Sequence, residues 1–249
     1  MSRNLAVILA GGVGTRIGQD TPKQLINIAG RPILEHTIAA FNDHQDVDEI
    51  IVMMVAGQLD AVHDMLRSGR YPKVRHVLEG DPDTRSGTTM RALAQVDDDD
   101  AKVLLHDAVR PLVSNRIITD CFRALDEYDA VEVAIPSSDT IIEVEGDLIR
   151  SVPPRPRLWR AQTPQGFRSS VIRRAYEEAA KDEHFVATDD CSVVLRYLPD
   201  VPICVVPGEE RNLKVTDPID VYIADTLLQL DSCSTPANKP EEDAAGDKT

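Results

Sequence analysis

The sequence predicts a three-layer α/β domain on a mostly parallel sheet, with a protruding β-hairpin arm. Short continuous apolar runs, of the kind that form strands buried on both faces, alternate with segments of helical periodicity. The first run ends in a glycine-rich turn, at the edge where an open α/β sheet places its ligand. Near Ser137 the alternation stops and a hairpin pattern takes over.

Residues 5–9, "LAVIL", form the first expected strand. "RPILEHTIAAF" follows as a helix, with Pro32 suited to a first turn. "EIIVMMV" is a second strand, "QLDAVHDMLRS" a helix, "VRHVLEG" a third strand and "TTMRALAQV" a helix that ends at the acidic run 97–100. "KVLLHDAVRP" runs from a fourth strand into a loop; "NRIITDCFRALDEY" is a helix and "AVEVAIP" a fifth strand. "SSDTIIEVEGDLIRSVPPRP" alternates around a Gly146 turn and predicts an arm over about 137–157, either an edge hairpin or a partner-binding one. Beyond "LWRAQTPQGF" come helices "SSVIRRAYEEAAK" and "TDDCSVVLRYL", a strand "VPICVVPG", and "RNLKVTDPIDVYIADTLLQL" as a short strand and a final amphipathic helix. One domain over 1–230 is expected, with 231–249 a disordered tail, since that stretch carries almost no large apolar side chains.

The 249 residues suit one larger domain with a substantial core, and 42% hydrophobic with 28% charged residues is ordinary for a globular protein. No window approaches the ~18 apolar residues of a membrane span, and the N-terminus lacks a signal-peptide pattern, so a cytoplasmic protein is expected. Cys121, Cys191, Cys204 and Cys233 show no zinc spacing and read as reduced cysteines. The net charge of −15 argues against nucleic acid or an anionic membrane as partner. Arginine or lysine beside a glycine loop is therefore the more informative.

Such a loop is "LAGGVGTRIGQDTPKQ", residues 9–24. It has no Gly-Lys pair for a P-loop, and Gly12-Val13-Gly14 is followed at 17 by Ile where a dinucleotide fingerprint needs glycine. Gly11, Gly12 and Gly14 allow positive φ and close backbone approach, so that amide N–H groups can face phosphate oxygens. Arg16 adds a bidentate donor and Lys23 a mobile point charge.

The ending Pro22-Lys23-Gln24, with "LLHDAVRP", "SSDTI", "AQTPQGF", "TDDCS" and "RNLKVTDP" in that order, resembles the polyol-phosphate cytidylyltransferases over residues 5–230. These act on ribitol 5-phosphate or 2-C-methylerythritol 4-phosphate. The resemblance implies a Rossmann-like nucleotidyltransferase (GT-A-like) fold and transfer of CMP from CTP to a polyol phosphate, with Mg2+ bridging triphosphate oxygens. It implies catalytic roles for Arg16, Lys23 and Lys214, and nucleotide binding by Ala10, Gly11, Gly12, Gly14, Gly80, Asp81 and Thr88, the family commonly having Ser at the last. Asp107, Arg110 and Thr188 match substrate-binding positions, with Asp107 also near the metal. Thr140 and Arg155 match residues that reach a neighbouring subunit's site, which implies a homodimer through the arm. His106 reads as a packed histidine, because the attacking phosphate is already ionised, and Arg85 as a structural partner of nearby acids. "AGG" at 10–12, "HDAVRP" and "RNLK" look like the ribitol-phosphate enzymes, so CDP-ribitol is the expected product, although "TDDCS" departs from their usual "TDAC". The alternatives are methylerythritol phosphate, a uridylyl- or guanylyltransferase on a hexose phosphate, and a non-catalytic module on the same scaffold.

Overall fold

The computed structural model of the chain describes residues 2–12 and 22–234. Strand β1 (Asn4–Ala10) contains the first apolar run. Its side chains alternate as a pleated strand requires: Ala6, Ile8 and Ala10 enter one core cluster, Leu5, Val7 and Leu9 the other. A small antiparallel pair, β2 (Asn27–Ile28) and β3 (Arg31–Pro32), precedes α1 (Ile33–Asn42), with Pro32 as its N-cap. Then come β4 (Glu49–Met54), α2 (Leu59–Leu66), β5 (Val74–Glu79), α3 (Arg85–Leu93), β6 (Lys102–Asp107), α4 (Asn115–Ala124) and β7 (Ala130–Pro136). The arm is β8 (Glu143–Glu145) and β9 (Leu148–Ser151), joined at Gly146 with φ +58, a conformation glycine adopts without strain. The chain returns as β10 (Trp159–Arg168) and ends with α5 (Ser169–Ala179), α6 (Asp190–Tyr197), β11 (Ile203–Pro207) and α7 (Pro218–Ser234).

Seven strands form one sheet in the order β11-β7-β10-β6-β1-β4-β5. β1 runs parallel to β4 and β6, β4 to β5, and β7 to β11. One cluster packs α1, α2 and α4 on one face of the sheet, and a second packs α3, α5 and α6 on the other. This is the expected three-layer, mostly parallel architecture. The strand that breaks the parallel rule is β10, antiparallel to both β6 and β7. Its sequence shows no strand pattern, because Pro164 and Gly166 interrupt one and its buried stretch carries Gln162, Thr163 and Gln165. Its register with β7 shifts between Ala161 and Gln165.

Three further expectations change. Helix α3 starts at Arg85 rather than near Thr88, because the Thr84 hydroxyl accepts from the Gly87 N–H and caps the helix there. The segment around Lys214 forms no strand; it is tied by a single backbone bond from Val215 N–H to Val109 O at 2.8 Å. Helix α7 runs past Leu230 to Ser234, so residues 231–234 are helical; residues 235–249 lie outside the described residues. Its Asp225 accepts from Ala29 N–H at 2.6 Å, anchoring the helix beside β2. Among the described residues, no helix is long and apolar enough to cross a membrane.

Candidate active site

The C-terminal ends of β1, β5 and β6 open onto one cleft. Gly11 follows β1 and Gly80 follows β5, and the two backbones approach across the Thr88 side chain. A Cβ at Gly80 would stand 3.0 Å from the Thr88 hydroxyl oxygen and 3.4 Å from the Gly11 Cα; one at Gly11 would stand 3.3 Å from the same hydroxyl. Close approach, not positive φ, is what calls for glycine here, since neither Gly11 nor Gly12 lies in the left-handed region. The Thr88 hydroxyl accepts from Asp81 N–H at 2.8 Å and donates to Thr84 O at 3.2 Å. Asp81 in turn accepts from Thr84 N–H at 2.9 Å and pairs with Arg91 at 3.1 Å; backbone bonds from Thr84 and Asp83 keep its carboxyl below the usual range. Gln24, 1% exposed, donates from Nε2 to Ala10 O at 2.6 Å and Gly12 O at 3.3 Å. It thereby holds the chain at the end of β1, a role its sequence alone does not reveal.

At the end of β6 sits Asp107. Its carboxylate lies 2.9 Å from Lys214 Nζ and 3.6 Å from Arg110 Nε. Burial opposes ionisation, but Lys214, Arg85 and Arg110 outweigh it and hold the carboxyl at about 2. Arg110 donates to Asn212 O at 2.8 Å, and Asn212 Nδ2 donates to Thr163 O at 2.9 Å. Thr163 Oγ1 accepts from Asp107 N–H at 3.0 Å and bonds His106 Nδ1 at 3.0 Å, while His106 Nε2 bonds Arg110 O at 3.1 Å. Burial pushes His106 down to about 4, so the ring is neutral at pH 7, with Nδ1 accepting and Nε2 donating. His106 is thus the packed histidine expected, and it braces the loop that presents Asp107 and Arg110. Thr163 and Asn212 were missed: short polar residues separated by about fifty positions carry no local pattern.

Two cavities meet at this point. The larger, about 300 Å3, is bounded by Gly11, Gly12, Lys23, Asp81 and Thr88. The smaller, about 150 Å3, is bounded by Arg110, Gln162, Thr163, Gln165, Thr188 and Asp189. Arg85, Asp107 and Lys214 line both. Arg85 is held there by the buried Asp190 carboxylate, which also accepts from the Tyr176 hydroxyl at 2.6 Å. That is the acid pairing expected of Arg85, and it leaves the guanidinium on the shared wall as well. Asp189 is the N-cap of α6, in a capping box with Ser192, and Thr188 Oγ1 bonds Ser192 Oγ at 3.3 Å.

Not every expected residue reaches the cleft. Thr140 and Arg155 lie exposed at the base of the arm, with Arg155 3.4 Å from Ser138 O, and neither lines the two cavities. Gly14 and Arg16 lie outside the described residues. Among the described residues, no group of three or more His, Cys, Asp or Glu side chains is placed to hold a metal ion.

The family model described as IspD, 2-C-methyl-D-erythritol 4-phosphate cytidylyltransferase, matches residues 5–230. The chain belongs to this family. The 2-C-methyl-D-erythritol 4-phosphate cytidylyltransferase of Thermobifida fusca is 50% identical over 234 residues, covering 91% of this chain and 94% of that protein. The bifunctional ribulose 5-phosphate reductase/CDP-ribitol pyrophosphorylase of Haemophilus influenzae is 40% identical over 232 residues, covering 92% of this chain but 48% of that protein. Among solved structures, the 4-diphosphocytidyl-2C-methyl-D-erythritol synthase of Anaerococcus prevotii superimposes with a TM-score of 0.81 at 31% identity, over 92% of this chain and 96% of that one. The chain is a cytidylyltransferase, and the non-catalytic reading of the scaffold is set aside.

Proposed function

We propose that the enzyme transfers CMP from CTP to 2-C-methyl-D-erythritol 4-phosphate. The observation that carries the geometry is the wall shared by two cavities: Arg85, Asp107 and Lys214 face both. CTP takes the larger cavity, its base over Gly11, Gly80, Asp81 and Thr88. The polyol phosphate takes the smaller, beside Arg110 and Thr188. A phosphate oxygen of the polyol attacks the α-phosphorus, the bond from that phosphorus to the bridging oxygen of the β-phosphate breaks, and pyrophosphate leaves.

No protein nucleophile is needed. Catalysis rests on positioning and on cations placed where negative charge accumulates. Lys214, on the shared wall, stabilises the α-phosphate in the transition state, and Asp107 fixes its direction. Lys23, with Arg16 from the same loop, holds the triphosphate and the departing pyrophosphate. One ionised carboxylate beside a triphosphate fits Mg2+, which keeps waters and takes few protein ligands. Asp107 is the residue that would hold it, and the ion would neutralise phosphate charge.

For the acceptor, the methylerythritol relative is more similar than the ribitol one and matches along nearly its full length. This displaces the ribitol 5-phosphate expectation. The "AGG" that suggested it bounds the larger cavity through Gly11 and Gly12, the cavity proposed for the nucleotide. The Haemophilus relative keeps ribitol 5-phosphate as the second reading. Support for a homodimer comes from the arm, whose Val144, Leu148 and Ile149 are 61%, 73% and 62% exposed. In such a dimer Thr140 and Arg155 would complete the partner's smaller cavity.

The deciding experiment is pyrophosphate release with CTP and Mg2+, comparing 2-C-methyl-D-erythritol 4-phosphate with ribitol 5-phosphate. Strong preference for the former is expected. Preference for ribitol 5-phosphate would overturn the acceptor and leave the site assignments standing.

A further inference from the structure

Glu132, on β7, is a half-buried titratable group outside the transfer machinery. Its Oε2 accepts from Gln165 Nε2 at 2.7 Å, and the same nitrogen donates to Asp189 Oδ2 at 3.0 Å. Gln165 Oε1 accepts from Asp190 N–H at 3.1 Å. Gln165 is 1% exposed and forms the floor of the smaller cavity, so one side-chain amide joins Glu132 to the first turn of α6. Glu132 Oε1 is buried without a well-formed hydrogen bond, and apart from Gln165 the side-chain donor beside the carboxyl is the Cys191 thiol, a weak one. A carboxylate with one oxygen well satisfied and the other left to a weak donor is costly; a carboxylic acid there is less so.

We propose that Glu132 is a positioning residue for the acceptor side of the site: through Gln165 it holds Asp189 and Thr188 against the smaller cavity, and its proton decides how firmly. The surroundings are almost wholly without positive charge. The start of α6 presents Asp189, Asp190 and the Cys191 thiol, and β10 presents the neutral Gln165; Cys121 of α4 lies on the sheet's other face, with Val131 and Val133. Strand β11, with Val205 opposite Glu132 in register, carries no charged side chain. Arg110 is the more distant cation, and Arg85 is engaged by Asp190. Burial first, then Asp189 and Asp190, push the Glu132 carboxyl up to about 7, against the opposing hydrogen bonds from the Cys191 thiol and Gln165.

Protonated, Glu132 leaves the Gln165 amide shared with a single charged neighbour, Asp189. Ionised, it faces Asp189 as a second negative charge across one amide. Asp189 is the N-cap of α6, so its displacement moves Thr188 at the cavity rim. The larger cavity is bounded by neither Gln165 nor Asp189. Affinity for the polyol phosphate therefore falls as pH rises through neutrality, while that for CTP does not.

This rests on the polyol phosphate occupying the smaller cavity. The test is Glu132→Gln in the full chain, an isosteric side chain that stays neutral. KM for the polyol phosphate and for CTP are measured between about pH 6 and pH 8. In the wild-type enzyme the polyol-phosphate KM should rise several-fold across that range, and in the variant it should stay at the low-pH value, with KM for CTP alike in both. A variant that follows the wild-type profile, or a change shared equally by both KM values, overturns the proposal. A substrate-free arm separates this from the acceptor assignment. The backbone amide resonances of Thr188 and Asp189 should titrate near neutrality in the wild type and not in Glu132→Gln. Identical titration in both overturns the linkage, whichever polyol phosphate the enzyme uses.

Discussion

Lys214 Nζ lies 2.9 Å from the Asp107 carboxylate, joining a loop before the last helix to the end of a central strand. The pair stands where the two cavities meet, so one ammonium group lines both of them. Replacing Lys214 by Ala does not strand the carboxylate, because Arg85 and Arg110 still face it.

Lys214→Ala and Lys23→Ala should therefore fold and lose turnover. Each should lower kcat by roughly 100-fold or more, as expected when a cation that stabilises transition-state charge is removed. Steady-state pyrophosphate release and thermal melting together check this. Near-normal kcat in either variant would remove that lysine from the catalytic role.

Thr88 predicts a loss on the nucleotide side. Thr88→Val keeps the shape but deprives Asp81 N–H of its 2.8 Å acceptor. An unsatisfied N–H costs about 1–2 kcal/mol, so KM for CTP should rise about tenfold. Thr88→Ser keeps the hydroxyl and should restore most of it. Equal KM values for Val and Ser would show that the hydroxyl does not shape the site.

The arm predicts complementation. Arg155→Ala and Lys23→Ala should each be poorly active alone, yet mixing them should recover activity through heterodimers with one intact site. Absence of recovery after demonstrated subunit exchange would argue that each chain carries a complete site.

Glu132 predicts a dependence of stability on pH. Its folded value, about 7, lies above the ordinary 4.5, so the folded state binds the proton more tightly. The contribution is fully present below pH ~4.5 and is lost as pH rises through about 7. Glu132→Gln should therefore gain on the wild type by about 2 kcal/mol between pH 5 and 8, allowing for partial exposure. Denaturant unfolding at both pH values measures this, and a constant difference would contradict the shift.

Much of the frame was legible because it is local. Leu5, Val7 and Leu9 alternate with Ala6, Ile8 and Ala10 whatever the rest of the chain does, and Pro32 stands where a helix begins. The glycine loop, Lys23 and "HDAVRP" follow strands directly, so their place at the sheet's C-terminal edge follows from chain order. Strand β10 was not legible. Its Pro, Gly and glutamines suit a partly polar stretch buried between β6 and β7, and nothing nearby in the chain reveals that burial.

By itself the sequence determined the alternation of strands and helices, the arm, and which cations stand beside the glycine loop, since each depends on spacing within a few residues. Only the tertiary structure decided that Lys214 meets Asp107, that Arg85 is held by Asp190, and that Gln165 ties Glu132 to Asp189. Those pairs join segments tens of residues apart. They become partners when β10 enters the sheet and α6 packs over it, and local periodicity carries no record of that closure.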